Sequence, residues 1–226
     1  MLKGHPKGLI SAALSNMGER FGYYIMNAVL TLFLCSKFGL SDATAAIIYS
    51  CFYCGIYILS LVGGIIADKT QNYKGTIQKG LLTMAAGYIL LAIPITATST
   101  NTSWLLPLTC FALLMIAFGN GLFKGNLQAI VGQMYDNFEA EEAKKGPEAL
   151  KIAKEKRDSG FQIFYVFINI GGLIAPFVAP LIRSWWLKVN GFIYYAKLPA
   201  LCHEQLFGMH NAANFENYTK LSSEAV

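Results

Sequence analysis

One apolar stretch constrains the fold of the whole chain, because it is long enough to cross a membrane and yet contains two charges. The stretch begins at Leu9 and continues to about Cys35, whereas a transmembrane helix needs about 20 residues. Glu19 and Arg20 lie side by side in its interior. Because a charge at the bilayer centre costs about 2.5–3.5 kcal/mol on insertion scales, we expect both side chains to face a water-filled cavity or polar partners.

Further polar residues lie on the same face of this predicted helix. Asn16, Arg20, Tyr23 and Asn27 are separated by four, three and four positions, a spacing that places them in one line along a helix. A structural ion pair that only fixes helix packing would also explain Glu19 and Arg20. The polar line favours the alternative, a cavity within the protein.

Two later apolar segments carry similar polar faces. Asn120, Lys124 and Gln128 are spaced four apart, and a third face in the last apolar segment includes Asn169. An intramembrane lysine is as costly as an arginine, so it is a candidate functional group. Polar faces on three segments therefore favour a shared cavity.

The composition indicates a polytopic membrane protein. Of the 226 residues, 54% are hydrophobic and 14% are charged, whereas a globular domain carries about 25% charged residues. We predict an all-α fold with five membrane spans. The spans lie at about 9–35, 43–67, 76–95, 104–134 and 159–186.

The distribution of basic residues predicts the orientation. Eleven of the eighteen Lys and Arg residues lie at the N-terminus, after the second span or after the fourth span, which places these parts in the cytoplasm. The charged segment 136–158 is thus predicted to be a solvated cytoplasmic loop, with a helical turn or two that break at Gly146-Pro147. The bundle occupies 1–188, and 189–226 is predicted to be an extracytoplasmic polar tail or loop.

Several function classes are excluded by the sequence. The net charge of +5 comes from residues between apolar runs and forms no basic–aromatic patch, so nucleic acid is not an expected partner. Cys51 and Cys54 form a Cys-x-x-Cys pair, but the second pair of ligands that a metal site of this kind needs is not found, and no histidine is nearby. Because no nucleophile elbow, metal-ligand cluster or phosphate loop is found either, we expect no enzyme activity, no cofactor and no metal.

Four motifs resemble those of one family. Asn16–Tyr24 is similar to Glu-x-x-Glu-Arg-Phe-x-Tyr-Tyr, and Gly63–Lys69 to Gly-Gly-x-x-Ala-Asp-Arg. Gly121–Asn126 and Phe164–Gly171 match patterns of the fourth and fifth helices. In this order they resemble the proton-dependent oligopeptide transporters of the major facilitator superfamily. The resemblance covers residues 4–188 and corresponds to five helices of that family's N-terminal six-helix bundle, with the sixth missing.

The resemblance implies a function and a set of partners. It implies a secondary transporter that moves di- and tripeptides with protons and uses the proton gradient rather than a cofactor. The expected partners are small peptides, protons, the lipid bilayer and a C-terminal bundle in the same or another chain. The expected location is the bacterial inner (plasma) membrane. As an N-terminal fragment the chain is expected to be unable to transport alone.

The resemblance also implies roles for individual residues. Proton coupling is implied for Glu19, Arg20 and Lys124. Substrate binding is implied for Arg20, Tyr23, Tyr24, Asn27, Tyr57, Lys124 and Asn169. A gating role of the loop motif is implied for Gly64, Asp68 and Lys69.

Two positions depart from the family pattern. The first glutamate of the first motif is Asn16 here, and the basic residue seven positions after the motif arginine is Asn27. These changes motivate one alternative, the same fold moving another small organic anion. A second alternative is a truncated membrane subunit that needs a partner half.

Overall fold

A computed structural model describes residues 4–95, 97 and 101–189, and within these residues the protein is built from α-helices without a strand. The all-α fold predicted from the sequence is therefore confirmed. The tail at 189–226 lies outside the described residues apart from Val189. The five helices are α1 (Leu9–Phe38), α2 (Asp42–Thr70), α3 (Tyr73–Ala92), α4 (Thr102–Ala143) and α5 (Pro147–Val189).

Local sequence signals mark the junctions between the first three helices. Gly39 follows α1 with a φ of 63°, a left-handed conformation that glycine adopts without strain. Ser41 caps α2, since its hydroxyl accepts a hydrogen bond from the backbone N–H of Thr44 at 3.3 Å. Asn72 caps α3 in the same way, accepting from the N–H of Gly75 at 2.9 Å.

Four of the five helices, α1, α2, α4 and α5, are long and apolar enough to cross a membrane. The remaining helix, α3, has 20 residues, so at 1.5 Å per residue it is about 30 Å long, the thickness of the hydrocarbon core. Lys74 and Lys79 lie near its start, which lowers its hydropathy. The helices thus form the polytopic arrangement that the sequence predicts.

Segment 136–158 is more helical than the predicted loop with short helical turns, although the helices break at Gly146-Pro147 as the sequence indicates. Helix α4 continues to Ala143 and α5 begins at Pro147, so only 144–146 lie between them. The segment is rich in Glu, Lys and Ala, which are good helix formers, and charges do not end a helix that has left the membrane. The chain turns at Gly146, whose φ is 131°. Proline suits the first position of α5 because its missing N–H would have no helical partner there.

Helix α4 packs against α3 and α2, while α1 packs against α5. Glycines allow the backbones to meet at two of these contacts. A Cβ added at Gly63 of α2 would overlap the backbone of Gly121 in α4, and one at Gly80 of α3 would lie 2.7 Å from the carbonyl oxygen of Gly119. Both α4 glycines flank Asn120. The close packing on α2 and α3 therefore fixes the segment of α4 that carries the polar residues.

Two apolar clusters form the core. One contains Leu30, Phe38 and Ile116, and the other contains Leu9 and Phe123, in each case with several neighbours. Along α1 and α4 the first cluster ends and the second begins on either side of a short polar layer. This layer is where the charged residues of α1 meet α4.

Candidate functional site

The polar layer is centred on a buried ion pair between neighbouring residues of α1. Arg20 donates from Nε to Oε2 of Glu19 at 2.5 Å and from Nη2 to Oε1 at 2.7 Å. The two side chains are 9% and 3% exposed, respectively. Consecutive helical residues do not normally face each other, so both side chains bend to the same side. The pair is bidentate, which is the strongest arrangement of these two groups.

Helix α4 completes this pair through Asn120. Its Nδ2 donates to Oε1 of Glu19, and its Oδ1 accepts from Nη2 of Arg20 at 3.5 Å. The side chain is 1% exposed. Sequence reasoning placed Asn120 on the polar face of α4 but did not include it among the site residues. Its spacing of four from Lys124 was the signal that could have identified it.

Two aromatic rings of α1 lead from the arginine towards α5. The Cζ atom of Arg20 lies 4.8 Å from the ring centroid of Tyr23, within range of a cation–π interaction. Tyr24 meets Tyr23 edge to face at 5.4 Å, and a Cβ added at Gly172 of α5 would lie 2.9 Å from the Tyr24 ring. Asn27, one turn further on, has a buried Oδ1 without a hydrogen-bond partner among the described residues.

Lys124 lies at the more open edge of the polar layer. Its Nζ is 4.5 Å from the ring centroid of Tyr57 on α2, and the hydroxyls of Tyr57 and Tyr53 are 3.2 Å apart. Lys124 interacts electrostatically with both Arg20 and Glu19. The lysine is only half-buried and both tyrosines are exposed. Its ammonium group is therefore the accessible cation beside the buried pair.

Asn169 lies on the α5 side of the site. It is exposed and lies three positions before Gly172, so the two residues share a face of α5. That face contacts Tyr24. The structure thus groups Glu19, Arg20, Tyr23, Tyr57 and Lys124 around α1, α2 and α4. Tyr24 lies at the α1–α5 contact beside Gly172, and Asn169 is exposed one turn before this glycine on α5.

The predicted loop motif lies at the other end of α2. The carboxylate of Asp68 accepts a hydrogen bond from the hydroxyl of Tyr73 at 2.6 Å, and this bond raises the pKa of Tyr73. Lys69 is exposed. A Cβ added at Gly64 would meet nothing within 4 Å. Of the two neighbouring glycines, Gly63 rather than Gly64 therefore makes the close contact with α4.

The charges of the site suit an anionic ligand. Glu19, Arg20 and Lys124 together carry one negative and two positive charges when ionised, so the cluster can accept one more negative charge. A carboxylate or phosphate would complement it. Protonation of Glu19 would free the Arg20 guanidinium and increase the positive excess. Among the described residues no group of three or more His, Cys, Asp or Glu side chains could hold a metal ion.

The fold and the site define a class of protein, a polytopic helical membrane protein with an internal charged site. Comparison with known proteins identifies the family. The model of the POT family matches residues 74–202, which is more than half of the chain. The chain belongs to the POT family, as the resemblance of its motifs indicated.

Individual relatives agree with this assignment. The chain is 32% identical over 180 residues to the uncharacterized transporter YclF of Bacillus subtilis, a match that covers 77% of this chain and 32% of that protein. It is 34% identical over 180 residues to dipeptide and tripeptide permease B of Shigella dysenteriae, covering 79% of this chain and 32% of the permease. The chain thus spans about a third of the length of these curated relatives.

A solved structure shares the fold. It is that of a bacterial homologue of the human drug peptide transporters PepT1 and PepT2. The TM-score is 0.63 and the sequence identity 25%, and the match covers 95% of this chain and 41% of that chain. The five helices described above therefore have the arrangement of part of a peptide transporter of this family.

Proposed function

We propose that the chain forms the N-terminal bundle of a proton-coupled transporter of di- and tripeptides. The observation that carries this proposal is the cluster of Glu19, Arg20 and Lys124, buried or half-buried within apolar helices. A fold that only needed stability would replace such charges by apolar residues at little loss. The names of the relatives, which include dipeptide and tripeptide permease B, support the substrate class.

In this proposal the proton and the peptide compete for the same cations. The ionised carboxylate of Glu19 holds Arg20. When Glu19 takes up a proton, the guanidinium of Arg20 loses its partner and, with Lys124, can bind the terminal carboxylate of a peptide. Tyr23, Tyr24, Asn27, Tyr57 and Asn169 then line the cavity around the peptide backbone and side chains. Asp68, Lys69 and Gly64 contribute to gating at the end of α2.

Transport further requires a second bundle. Alternating access rocks one bundle against another around a site near the bilayer midplane, and this chain spans about a third of its relatives. We infer that a C-terminal bundle, in the same or a partner chain, supplies the opposite wall and the anionic groups for the peptide's amino end. The proton gradient supplies the energy, so the proposal needs neither a cofactor nor enzyme activity.

The proposed location is the plasma membrane, with the N-terminus in the cytoplasm. The support for this orientation is the excess of Lys and Arg at the N-terminus and in the region around 144–157. In this orientation the helical ends of α4 and α5 beyond the membrane, which Arg157 joins through a 2.6 Å ion pair to Asp136, lie in the cytoplasm.

Uptake by the complete protein that contains this chain tests the proposal. Proteoliposomes with an inward proton gradient are expected to accumulate radiolabelled dialanine. Lys124→Ala should reduce the initial rate at least about tenfold, since it removes a charged contact to the carboxylate. Lys79→Ala, which removes an exposed lysine of α3, is the matched control. Wild-type uptake by Lys124→Ala would contradict the assigned role.

A second candidate substrate is another small organic anion. The observation that favours it is Asn27, a neutral residue whose buried Oδ1 has no hydrogen-bond partner among the described residues. A substrate with a hydrogen-bond donor, such as a small hydroxycarboxylate, could satisfy this atom. Uptake of a radiolabelled hydroxycarboxylate and of dialanine by the same proteoliposomes separates the two candidates. Uptake of the hydroxycarboxylate without uptake of dialanine would favour the second.

A further inference from the structure

We propose that Asn120 is a positioning residue for proton coupling, which holds the Glu19 carboxylate against Arg20 and releases Arg20 when Glu19 is protonated. This inference rests on the proposed function, because it concerns the same charged site. It adds a residue of α4 that neither the motifs nor the comparisons assign. The geometry that supports it is the pair of hydrogen bonds from one amide to both charged groups.

The amide of Asn120 complements two opposite charges at once. An ionised carboxylate only accepts hydrogen bonds and a guanidinium only donates them, whereas an amide does both. Nδ2 faces Glu19 and Oδ1 faces Arg20, which is the orientation that satisfies both groups. The carboxylate thereby accepts from three donors, two on Arg20 and one on Asn120. Such contacts stabilise the ionised form of a carboxyl group.

The backbone of α4 brings this amide to α1. Gly119 and Gly121 lie on either side of Asn120, and each is in close contact with the backbone of α3 or α2. The amide lies between two apolar clusters and is 1% exposed. A charged group at this position would repel either Glu19 or Arg20, and an apolar group would leave the carboxylate with Arg20 alone.

A second buried amide of α4 shows what a purely structural asparagine does. Asn126 is 2% exposed, and its Nδ2 donates to the carbonyl oxygen of Gly63 at 3.1 Å and to that of Leu122 at 2.7 Å. These bonds join α4 to α2 through the backbone. Asn126 thus resembles Asn120 in burial and residue type but makes these bonds to backbone carbonyls. It is a matched control for the loss of a buried amide.

Protonation changes which hydrogen bonds the three side chains can make. A protonated Glu19 has an O–H donor, so one of its three present donors loses its acceptor. If the Asn120 amide rotates by about 180° about its Cβ–Cγ bond, Oδ1 accepts from this O–H. Nδ2 then faces Arg20 and cannot accept from it, so Arg20 keeps only the neutral carbonyl oxygen of Glu19 as an acceptor. Proton uptake by Glu19 thereby weakens the contacts of Arg20 with both of its partners.

Glu19 is the acid of this cluster. Among the described residues, the other titratable groups with an interaction to the pair are basic or phenolic: Tyr23, Tyr57, Tyr88 and Lys124. On α5, which also packs against α1, Tyr165 is half-exposed, and the aspartates and glutamates of the neighbouring helices lie near the helix ends. The family's additional glutamate is replaced by Asn16. If substitution of Asn120 changes proton binding at this site, the change should therefore appear in the titration of the Glu19 carboxyl group.

Infrared titration of the carboxyl band tests the inference without any need for transport. The complete protein in lipid nanodiscs is titrated as wild type, Asn120→Leu and Asn126→Leu, and Glu19→Gln identifies the band. Removing a donor disfavours the ionised carboxylate, so the midpoint for Asn120→Leu should rise by about one pH unit. Asn126→Leu should titrate with the wild type. An unchanged midpoint in Asn120→Leu, or an equal shift in both variants, would overturn the proposal.

The pH profile of dialanine uptake provides a second measurement. For Asn120→Leu the pH at which uptake is half-maximal should rise by a similar amount, while Asn126→Leu keeps the wild-type midpoint. Asn120→Ala repeats the comparison with a smaller side chain if the leucine variant does not fold. If wild-type protein takes up no peptide, the proposed function fails and the infrared titration still decides the role of Asn120. If uptake is normal and neither midpoint moves, the role of Asn120 alone is rejected.

Discussion

At the scale of single residues, the buried charges are held by one another rather than by water. Glu19 and Arg20 are nearly inaccessible, and their desolvation is offset by the bidentate contact and by Asn120. A buried ion pair adds little stability over apolar residues of similar size, but loss of one partner leaves an uncompensated charge. The pair is therefore sensitive to single substitutions and tolerant of paired ones.

Removing Arg20 alone should be more damaging than removing both charges. We expect Arg20→Met to lower the free energy of unfolding by about 3–5 kcal/mol because Glu19 remains buried without its cation. The double variant Glu19→Gln/Arg20→Met should recover much of this loss. Thermal unfolding of the purified protein in detergent compares the three forms. A double variant less stable than Arg20→Met would show that the pair itself is a major source of stability.

The sequence predicts part of the site at this scale. Glu19, Arg20 and Lys124 could be identified because a charge inside an apolar run is costly and needs a reason. The spacing from Lys124 places Asn120 on the polar face of α4, but its contact with Glu19 could not be predicted because the two residues are 101 positions apart. Only the packing of α4 on its neighbours shows that this amide faces the ion pair.

At the scale of helices, close backbone contacts position the site. Gly63 lies against the backbone of Gly121, one residue from Asn120, and Asn126 donates to the carbonyl of Gly63 at 3.1 Å. Because lipid tails are as apolar as the helix surfaces, the hydrophobic effect does not drive helices together inside a membrane. Small-residue contacts and interhelical hydrogen bonds of this kind drive their association instead. The α2–α4 contact therefore sets the position of Lys124 relative to Tyr57.

Two adjacent glycines should respond differently to the same substitution. Gly63→Ala should destabilise the protein by about 1–3 kcal/mol, because its Cβ would overlap the α4 backbone. Gly64→Ala has open space and should be neutral or stabilising by up to about 1 kcal/mol, since alanine favours a helix. Melting temperatures in detergent measure both. Equal effects at the two positions would show that the α2–α4 contact is looser than described.

The helix ends illustrate where sequence reasoning was insufficient. The charges of 136–158 predict a loop with only short helical turns, but the same Glu, Lys and Ala residues are strong helix formers. Once α4 and α5 leave the membrane, solvent accommodates their charges and the helices continue. Only Gly146, which has a positive φ, and Pro147, which has no backbone N–H, interrupt them.

At the scale of the whole molecule, polar groups on the outer faces of α2 and α5 indicate that another polar surface covers them. Tyr53, Tyr57 and Asn169 are exposed although they belong to apolar helices. In a bilayer such side chains are unfavourable towards lipid and favourable towards a cavity. The second bundle that we propose would face them. The family and the helix order could be predicted from the motifs, whereas these exposed positions required the packing.

The proposed orientation can be tested by labelling engineered cysteines in a cysteine-free background. Ala43 and Lys145 are exposed at opposite ends of the helices. A membrane-impermeant thiol reagent should label Ala43→Cys in intact cells and Lys145→Cys only in inside-out vesicles, because the proposed orientation places the basic segment in the cytoplasm. The opposite labelling pattern would reverse the orientation.

The most direct test of the central claim, that one site on this bundle couples protons to peptides, is substrate-driven proton movement. Proteoliposomes of the complete protein carry a pH-sensitive dye in the lumen and no imposed gradient, and dialanine is added outside. We predict that the lumen acidifies with wild-type protein, whereas Glu19→Gln exchanges dialanine without acidification. Accumulation of dialanine by wild-type protein without proton movement, or equal acidification by Glu19→Gln, would contradict the account.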